Sequence, residues 1–534
     1  MVSPSTSRSR LLLATLGGAL MGSATPPFDI YPAAWIGQAL LALSLFEGGA
    51  EGRAWSRGAL RGWAFGTTVS LVVLRFVPHT IARFTDLPVP VAWLALLLLS
   101  MFQGLPWLIT GWITRQLFER GVPGILAFGI GVWVSTFVPI VFPWTVAAGL
   151  SPLRSLVQLA DVVGERGVSA LLALSSALMA EAMRAWRTKD SARMAARAAL
   201  AVALPITMMA YGWLRMRDVD VERAHAPTAH LALVQPSTEA RMRWDPHEAE
   251  GILQRLTMLT KAAEQRGASL VVWPEAAFPY GIQASTRTDL FGARAILQTG
   301  VHGPVLTGAV MNTPAGSYNS AVLVHGGRLD PPYHKMHLLA FGEQVPLANV
   351  FPFLRRTFAR GMGMIAGDHQ VLITSGPLRA AVLNCFEDTL PEAGREAIGV
   401  DPNLLVNLTN DAWFVETEES ELHLRLATMR AIELRRDFVR AVNFGPTTWI
   451  DAAGRVRKRY GVLVPGSLPV DPALLEGRTL YGQMGDFAGF ALLALLSSTT
   501  WLGMWMATKR ERRAAAQRHA THDDVSTSST RATE

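Results

Sequence analysis

Apolar residues fall into two regimes along the chain. Up to about residue 215 they form long runs, at about 11–24, 31–47, 59–77, 91–112, 123–142, 167–185 and 195–213, and one more run lies at about 485–507. A helix rises ~1.5 Å per residue, so roughly 17–25 apolar residues cross a ~30 Å hydrocarbon core. Eight transmembrane helices are therefore expected, seven in residues 1–215 and one in 485–507. Residues 228–475 change period. Short β-rich runs recur at Leu231–Val234, Ser269–Trp273, Pro304–Val310, Ala321–His325, Arg379–Leu383, Asn403–Leu408, Val439–Asn443 and Thr448–Asp451. Between them, Pro246–Arg266 and Leu422–Arg436 carry helical spacing, with Leu422, Leu426, Met429 and Ile432 on one face. Buried strands alternating with amphipathic helices predict a layered α/β domain. The tail, 508–534, is polar and rich in Ser, Thr, Arg and Ala, a composition expected to stay disordered.

Composition changes the picture where it touches solvent and charge. Half of the 534 residues are hydrophobic and only 17% are charged, against about a quarter in soluble domains. One cysteine excludes an intrachain disulfide. The net charge of +7 would suggest nucleic acid, but the cations sit beside apolar runs. With Met1 inside, one face holds Arg8, Arg10, Arg53, Arg57, Arg61, Arg115, Arg120, Arg184, Arg187, Lys189, Arg193 and Arg197, then Lys509, Arg510, Arg512 and Arg513. The other face has chiefly Arg83, Arg154 and Arg166 in its short loops. Positive charge beside spans stays cytoplasmic, so the polar insert is expected outside and the tail inside. The charge is then a topology signal, and no nucleic-acid partner is expected. The first run also fits a signal peptide, and its cleavage would leave every later span in the same orientation. Arg75 and Phe142–Trp144 fit interface anchors, and Phe84–Leu87 and Leu153–Val163 fit surface-lying connections on the outer side. The spans show no internal repeat of the kind that builds two-halved transporters.

Within the insert, reactive side chains follow strand ends. Glu275 comes two residues after one strand, Cys385 two after another, and Lys335 lies in the loop after Ala321–His325. Ligands and chemistry collect at the carboxyl ends of α/β strands. A thiol needs a base to take its proton, and a fixed ammonium stabilises an oxyanion, so the three form a working acyl-transfer set. Each also has an ordinary structural reading: a small buried hydrophobe, a helix cap and a surface lysine. Their joint placement separates the readings. No His/Cys spacing of a zinc site competes, and neither metal nor cofactor is expected.

The flanking motifs carry a resemblance. WPEAAFPY around Glu275, HKMHLLAFGEQVP around Lys335 and NCFED around Cys385 resemble, in chain order, the Glu–Lys–Cys set of the nitrilase (carbon–nitrogen hydrolase) superfamily. LLVNLTNDAWF and HLRLATMRAIELRRDFVRAVNFG, with spans on both sides, resemble the membrane-embedded apolipoprotein N-acyltransferase branch. The resemblance covers nearly the whole chain and is strongest from Leu231 to Asp451. It implies an αββα sandwich on the periplasmic side of a bacterial inner membrane, and a monomer. It implies transfer of an acyl chain from a phospholipid to the N-terminal diacylglyceryl-cysteine of an apolipoprotein, through a thioester. On this resemblance Glu275 is the general base, Lys335 the oxyanion-stabilising cation and Cys385 the nucleophile. Glu343 supports the lysine, and Glu387 and Trp244 align near the site. Phe386 stands where tyrosine is usual, losing a hydroxyl and keeping the ring. Asp411 stands where asparagine is expected in TN-x-AWF, and Val415 where glycine is. Two rivals use the same sequence: a membrane-tethered amidase with water as acceptor, and a non-catalytic receptor or transporter. One tether would serve the first, and the spans lack the buried acids or lysines of the second.

Overall fold

The structure, a computed structural model, describes residues 7–47, 54–85, 87–340, 342–344, 363–414, 417–461 and 463–499. The tail and the residues before Ser7 lie outside these. Each apolar run holds a helix among the described residues: Ser7–Gly22, Pro32–Phe46, Ala54–Val73, Val89–Gln103 with Leu105–Glu119, Gly124–Ser135, Ala160–Arg187, Ser191–His225 and Phe487–Thr499. Three of them, Val89–Glu119, Ala160–Arg187 and Ser191–His225, are long and apolar enough to cross a membrane. The pair Trp55–Val73 and Val77–Phe84, bent by 55°, makes a fourth if it is one span. Length thus supports fewer spans among the described residues than the eight expected. Pro32–Phe46 and Gly124–Ser135 are shorter apolar helices, and a helix of 12–15 residues reaches only ~20 Å. Leu94, Leu97, Leu98, Ile206, Trp213 and Leu214 nonetheless point outward, which suits lipid and not water. Arg61 and Arg115 are buried and donate to the Ser44 and Leu45 carbonyls (2.7 and 3.0 Å), capping the end of Pro32–Phe46.

The rest is a two-sheet sandwich. One sheet holds β1 (Leu231–Gln235), β2 (Leu270–Val272), β3 (Ile282–Gln283), β4 (Val305–Thr313), β5 (Gly316–His325), β6 (Arg328–Leu329), β7 (Tyr333–His334) and β14 (Gly466–Val470). Its order is β14-β1-β2-β4-β5-β6, with β3 on β4 and β7 on β5. The other holds β8 (Leu372–Ser375), β9 (Leu378–Asn384), β10 (Leu404–Thr409), β11 (Phe438–Val442), β12 (Thr448–Ile450) and β13 (Val456–Arg459), ordered β13-β12-β11-β10-β9-β8. The central pairs β1–β2–β4 and β9–β10–β11 are parallel.

Strand alternation builds the layers. Leu231 and Leu233 of β1 face Val382, Leu404, Val406 and Val439 in the core between sheets. Ala232 and Val234 face outward onto Ile252, Leu253 and Leu256 of helix Ala249–Glu264. On the other sheet Ala381, Leu383 and Leu405 face Leu424, Ala427 and Ala431 of helix Glu419–Leu434. The order is helix, sheet, sheet, helix, as the resemblance implies. Helix Glu419–Leu434 has a second duty: Leu422, Leu426, Met429 and Ile432 pack into the core of the membrane half. That two-sided packing buries nearly its whole length.

The two halves are joined by ion pairs as well as apolar contact. Arg425 is bidentate to Asp29 (2.7 and 2.9 Å), Arg430 pairs with Glu165 (2.8 Å), and Arg435 pairs with Asp161 (2.9 Å). This docking corrects the expectation for Leu153–Val163. Leu156, Val157 and Ala160 are fully buried, because the segment is covered by helix Ser191–His225 and by residues such as Arg435 and Ala453. Helix Ala160–Arg187 is kinked at Gly164 (φ +71°), where a Cβ would stand 2.4 Å from the Tyr481 ring. Only glycine fits there.

Candidate active site

Glu275 leaves β2 through Trp273–Pro274, and the turn lies against β4. A Cβ at Gly308 would come within 2.4 Å of the Pro274 carbonyl oxygen and 2.7 Å of the Glu275 Cα. The next residue, Ala276, has φ +44°, and buried Arg243 donates to the Ala276 and Phe278 carbonyls. Lys335 follows β7 and is 1% exposed. Cys385 follows β9 at φ +55° and opens a 3-10 turn, Cys385–Thr389. A non-glycine residue in that region stores strain of about 1–3 kcal/mol, held by its surroundings. Here Asn407 of β10 donates to the Leu383 and Cys385 carbonyls (2.8 and 2.9 Å).

These strand ends bring the three sequence-selected groups together. Lys335 Nζ lies 3.5 Å from Glu275 Oε1 and 2.8 Å from Glu343 Oε2. Cys385 lies close enough to this group for Glu275 and Glu343 to oppose its ionisation and for Lys335 to favour it. Asn319 of β5, which the sequence reading passed over, links the group. Its Nδ2 donates to Glu275 and Glu343 (both 2.8 Å), and its Oδ1 accepts from Asn384 Nδ2 (3.0 Å). An amide inside the apolar strand Gly316–His325 was the available signal.

Glu387 faces the lysine loop and does not reach into the opening. It accepts from the Tyr333 hydroxyl (2.8 and 2.9 Å) and from the amides of Met336 (2.8 Å), His337 (3.0 Å) and Asn384 (2.7 Å). The Phe386 ring lies under Lys335, with Nζ 5.4 Å from its centroid, so the aromatic face is in use without the hydroxyl. Trp244 ends the 3-10 turn Met242–Trp244; its side chain, with Phe341, 345–362 and Val415, lies outside the described residues.

Burial sets the protonation states. Burial, then the Glu343 charge, lifts Glu275 above the usual carboxylate range, with Lys335 opposing. Burial opposes the charge on Lys335, but Cys385 once it is ionised, and Glu343 and Glu275, outweigh it and hold the ammonium charged. Burial also opposes ionisation of Glu343, yet Lys335 and the Leu339 amide keep it below its ordinary value. The Cys385 thiol is pushed well up by burial and by Glu275. The resting set is therefore a neutral thiol beside Glu275, with a locked ion pair behind it. Such a set can move a proton from sulfur to Glu275 as the sulfur attacks, and can meet an oxyanion with a fixed cation.

The rim is aromatic and touches the membrane half. Trp413 lies against Phe84 (centroids 4.9 Å apart) and Phe414 against Phe76 (5.6 Å). A cavity of about 310 Å³ opens at this junction, lined by Arg83, Phe84, Glu239, Ala240, Arg241, Ala412 and Phe444. Phe84, expected on a surface-lying connection, therefore forms part of the contact with the strand-end loops.

Residues 17–178 match the apolipoprotein N-acyltransferase N-terminal domain, and residues 230–462 match the carbon–nitrogen hydrolase family. An apolipoprotein N-acyltransferase of Geobacter metallireducens is 30% identical over 91% of this chain and 94% of its own length. One from Azotobacter vinelandii is 31% identical over 91% of this chain and 93% of its own. Among solved structures, a Nesterenkonia amidase of the nitrilase superfamily is 19% identical, with TM-score 0.36, covering 48% of this chain and 94% of its own.

Proposed function

The chain belongs to the apolipoprotein N-acyltransferase family, and on that premise we propose how this acyltransferase N-acylates lipoproteins. The donor is a phospholipid and the acceptor is the α-amine of an N-terminal diacylglyceryl-cysteine. Glu275 takes the Cys385 proton as sulfur attacks the ester carbonyl, and the tetrahedral oxyanion forms against Lys335. Collapse expels the lysophospholipid alkoxide, which takes the proton back from Glu275 and leaves an acyl thioester on Cys385. The unprotonated α-amine then attacks the thioester, its surplus proton passes to Glu275 and on to the departing thiolate, and the amide is released. α-Amines titrate near pH 8, so only a modest shift is needed for attack. Glu343 holds Lys335 in place, and Glu387 holds the loop that carries it.

Water must be kept from the thioester, or the product is a free fatty acid. The aromatic junction of Phe76, Phe84, Trp413 and Phe414 supports a site that opens toward lipid. On this reading the chain has eight spans in an inner membrane, works as a monomer, and carries residues 228–475 on the periplasmic face, with 508–534 in the cytoplasm.

The observation that carries the proposal is the convergence of Glu275, Lys335 and the Cys385 thiol at strand ends. The test reconstitutes the protein in phospholipid vesicles with a synthetic diacylated lipopeptide. Appearance of the triacylated peptide with one equivalent of lysophospholipid is expected. Free fatty acid or ammonia without amide formation would instead make it a hydrolase.

A further inference from the structure

Behind the Cys385 turn a second set of charges is buried: Asp388, Asp411, Glu419, His423 and Arg440, none more than 8% exposed. His423 stands between carboxylates, with Nε2 2.8 Å from Asp388 Oδ1 and Nδ1 3.2 Å from Asp411 Oδ1. Arg440 Nε donates to the other oxygen of Asp388 (3.0 Å). One ligand atom each from Asp411, Glu419 and His423 lies within 4.8 Å of the others. A separate observation points to a missing occupant. Asp411 Oδ2 and Glu419 Oε2 are buried oxygens with no hydrogen-bond partner among the described residues. Glycine at 445 leaves the side of Asp411 Oδ2 open, since a Cβ there would stand 2.6 Å from it.

We propose that Asp411, Glu419 and His423 bind one divalent cation of the zinc or manganese class, with Asp388 as the outer carboxylate that orients the imidazole. The donor set is one imidazole and two carboxylates, which suits these ions better than magnesium or calcium. Asp388 accepts the Nε2 proton, so the Nδ1 lone pair faces Asp411 and Glu419, the carboxylate–histidine–metal arrangement. Three carboxylates and one guanidinium around a neutral imidazole leave two negative charges, which a divalent ion neutralises.

The ion would tie the turn that carries Cys385, through Asp388, to the Trp413–Phe414 loop and to helix Glu419–Leu434. The sequence held no zinc spacing because these ligands come from two elements.

The experiment uses the full-length protein in detergent, stripped with chelator and titrated with Zn²⁺, Mn²⁺ or Mg²⁺ alone. Bound metal is read by mass spectrometry, and affinity by competition with a chromogenic chelator. One Zn²⁺ or Mn²⁺ per chain is expected, bound more weakly as pH falls because the ligands must be deprotonated. Glu419→Gln is expected to weaken binding at least about a hundredfold, and Asp388→Asn, which keeps the shape but only one of the two acceptor oxygens, about ten- to a hundredfold. Wild-type protein that takes up neither ion, or Glu419→Gln and Asp388→Asn that bind as wild type does, overturns the proposal.

Discussion

Glu387 and Asp388 are neighbours in one 3-10 turn, both fully buried, and they serve opposite networks. Glu387 accepts from a phenol and three backbone amides, and burial lifts its pKa despite Lys335. Asp388 accepts from His423 and Arg440; burial opposes its charge too, but these two cations hold it below the ordinary aspartate range. The first network points at the lysine and the half-buried thiol. The second points away, toward the helix that packs on the membrane half. The contrast separates the two needs of a reactive turn, an electrostatic setting for chemistry and a rigid anchor for strained backbone. Uncompensated charge is tolerable in the first, where a proton must move, and is costly in the second.

Substitutions sharpen that contrast in decreasing order of effect. Lys335→Met removes the cation facing the proposed oxyanion and is expected to lower the rate of acyl-enzyme formation by about 10³-fold, read by single-turnover mass spectrometry. On the two sides of the turn, Glu387→Gln should slow that step about a hundredfold with the smaller loss of stability. Asp388→Asn should slow it about tenfold while destabilising the fold by about 3 kcal/mol, because Arg440 loses its charged partner. Equal stability losses in denaturant unfolding would dissolve the distinction.

A third test reads pH. The base acts only when ionised, so activity falls as pH drops through the raised Glu275 pKa. Glu343 is one cause of that rise. Glu343→Gln should therefore move the acid limb of the rate profile to lower pH, and an unmoved limb would assign it to another group. Phe386→Tyr should change rates least, by less than about threefold, since the ring already lies beneath Lys335. A tenfold gain would give the missing hydroxyl a role that the face-on contact does not.

The sandwich was legible because short apolar runs recur between amphipathic helices; Leu231 and Leu233 then face one core, and Ala232 and Val234 another. Glu275, Lys335 and Cys385 were legible because they end those strands inside dense motifs. Asn319 was not, since what marks it is its reach to two carboxylates from different loops. His423 and Asp411 were hidden likewise, being joined only when helix Glu419–Leu434 folds over β10. Short strands such as β3, β6 and β7 carry too few residues for a period. In the membrane half each apolar run holds a helix, but run length misjudged helix length, since 123–142 holds only Gly124–Ser135 while 195–213 lies inside Ser191–His225. The short helices Val77–Phe84, Val146–Gly149 and Arg154–Val157 carried no run of their own. Leu153–Val163 looked superficial because nothing local announces the domain that covers it.

The most direct measurement is intact-mass analysis of the wild-type protein and Cys385→Ser after incubation with a phospholipid of defined chains and no acceptor. Wild type is expected to gain the mass of one acyl chain, removable by neutral hydroxylamine and mapped to the peptide holding Cys385, with no such adduct on the variant. An adduct that persists on Cys385→Ser, or a wild type that transfers acyl chains to lipopeptide without ever carrying one, would contradict a thioester on this thiol.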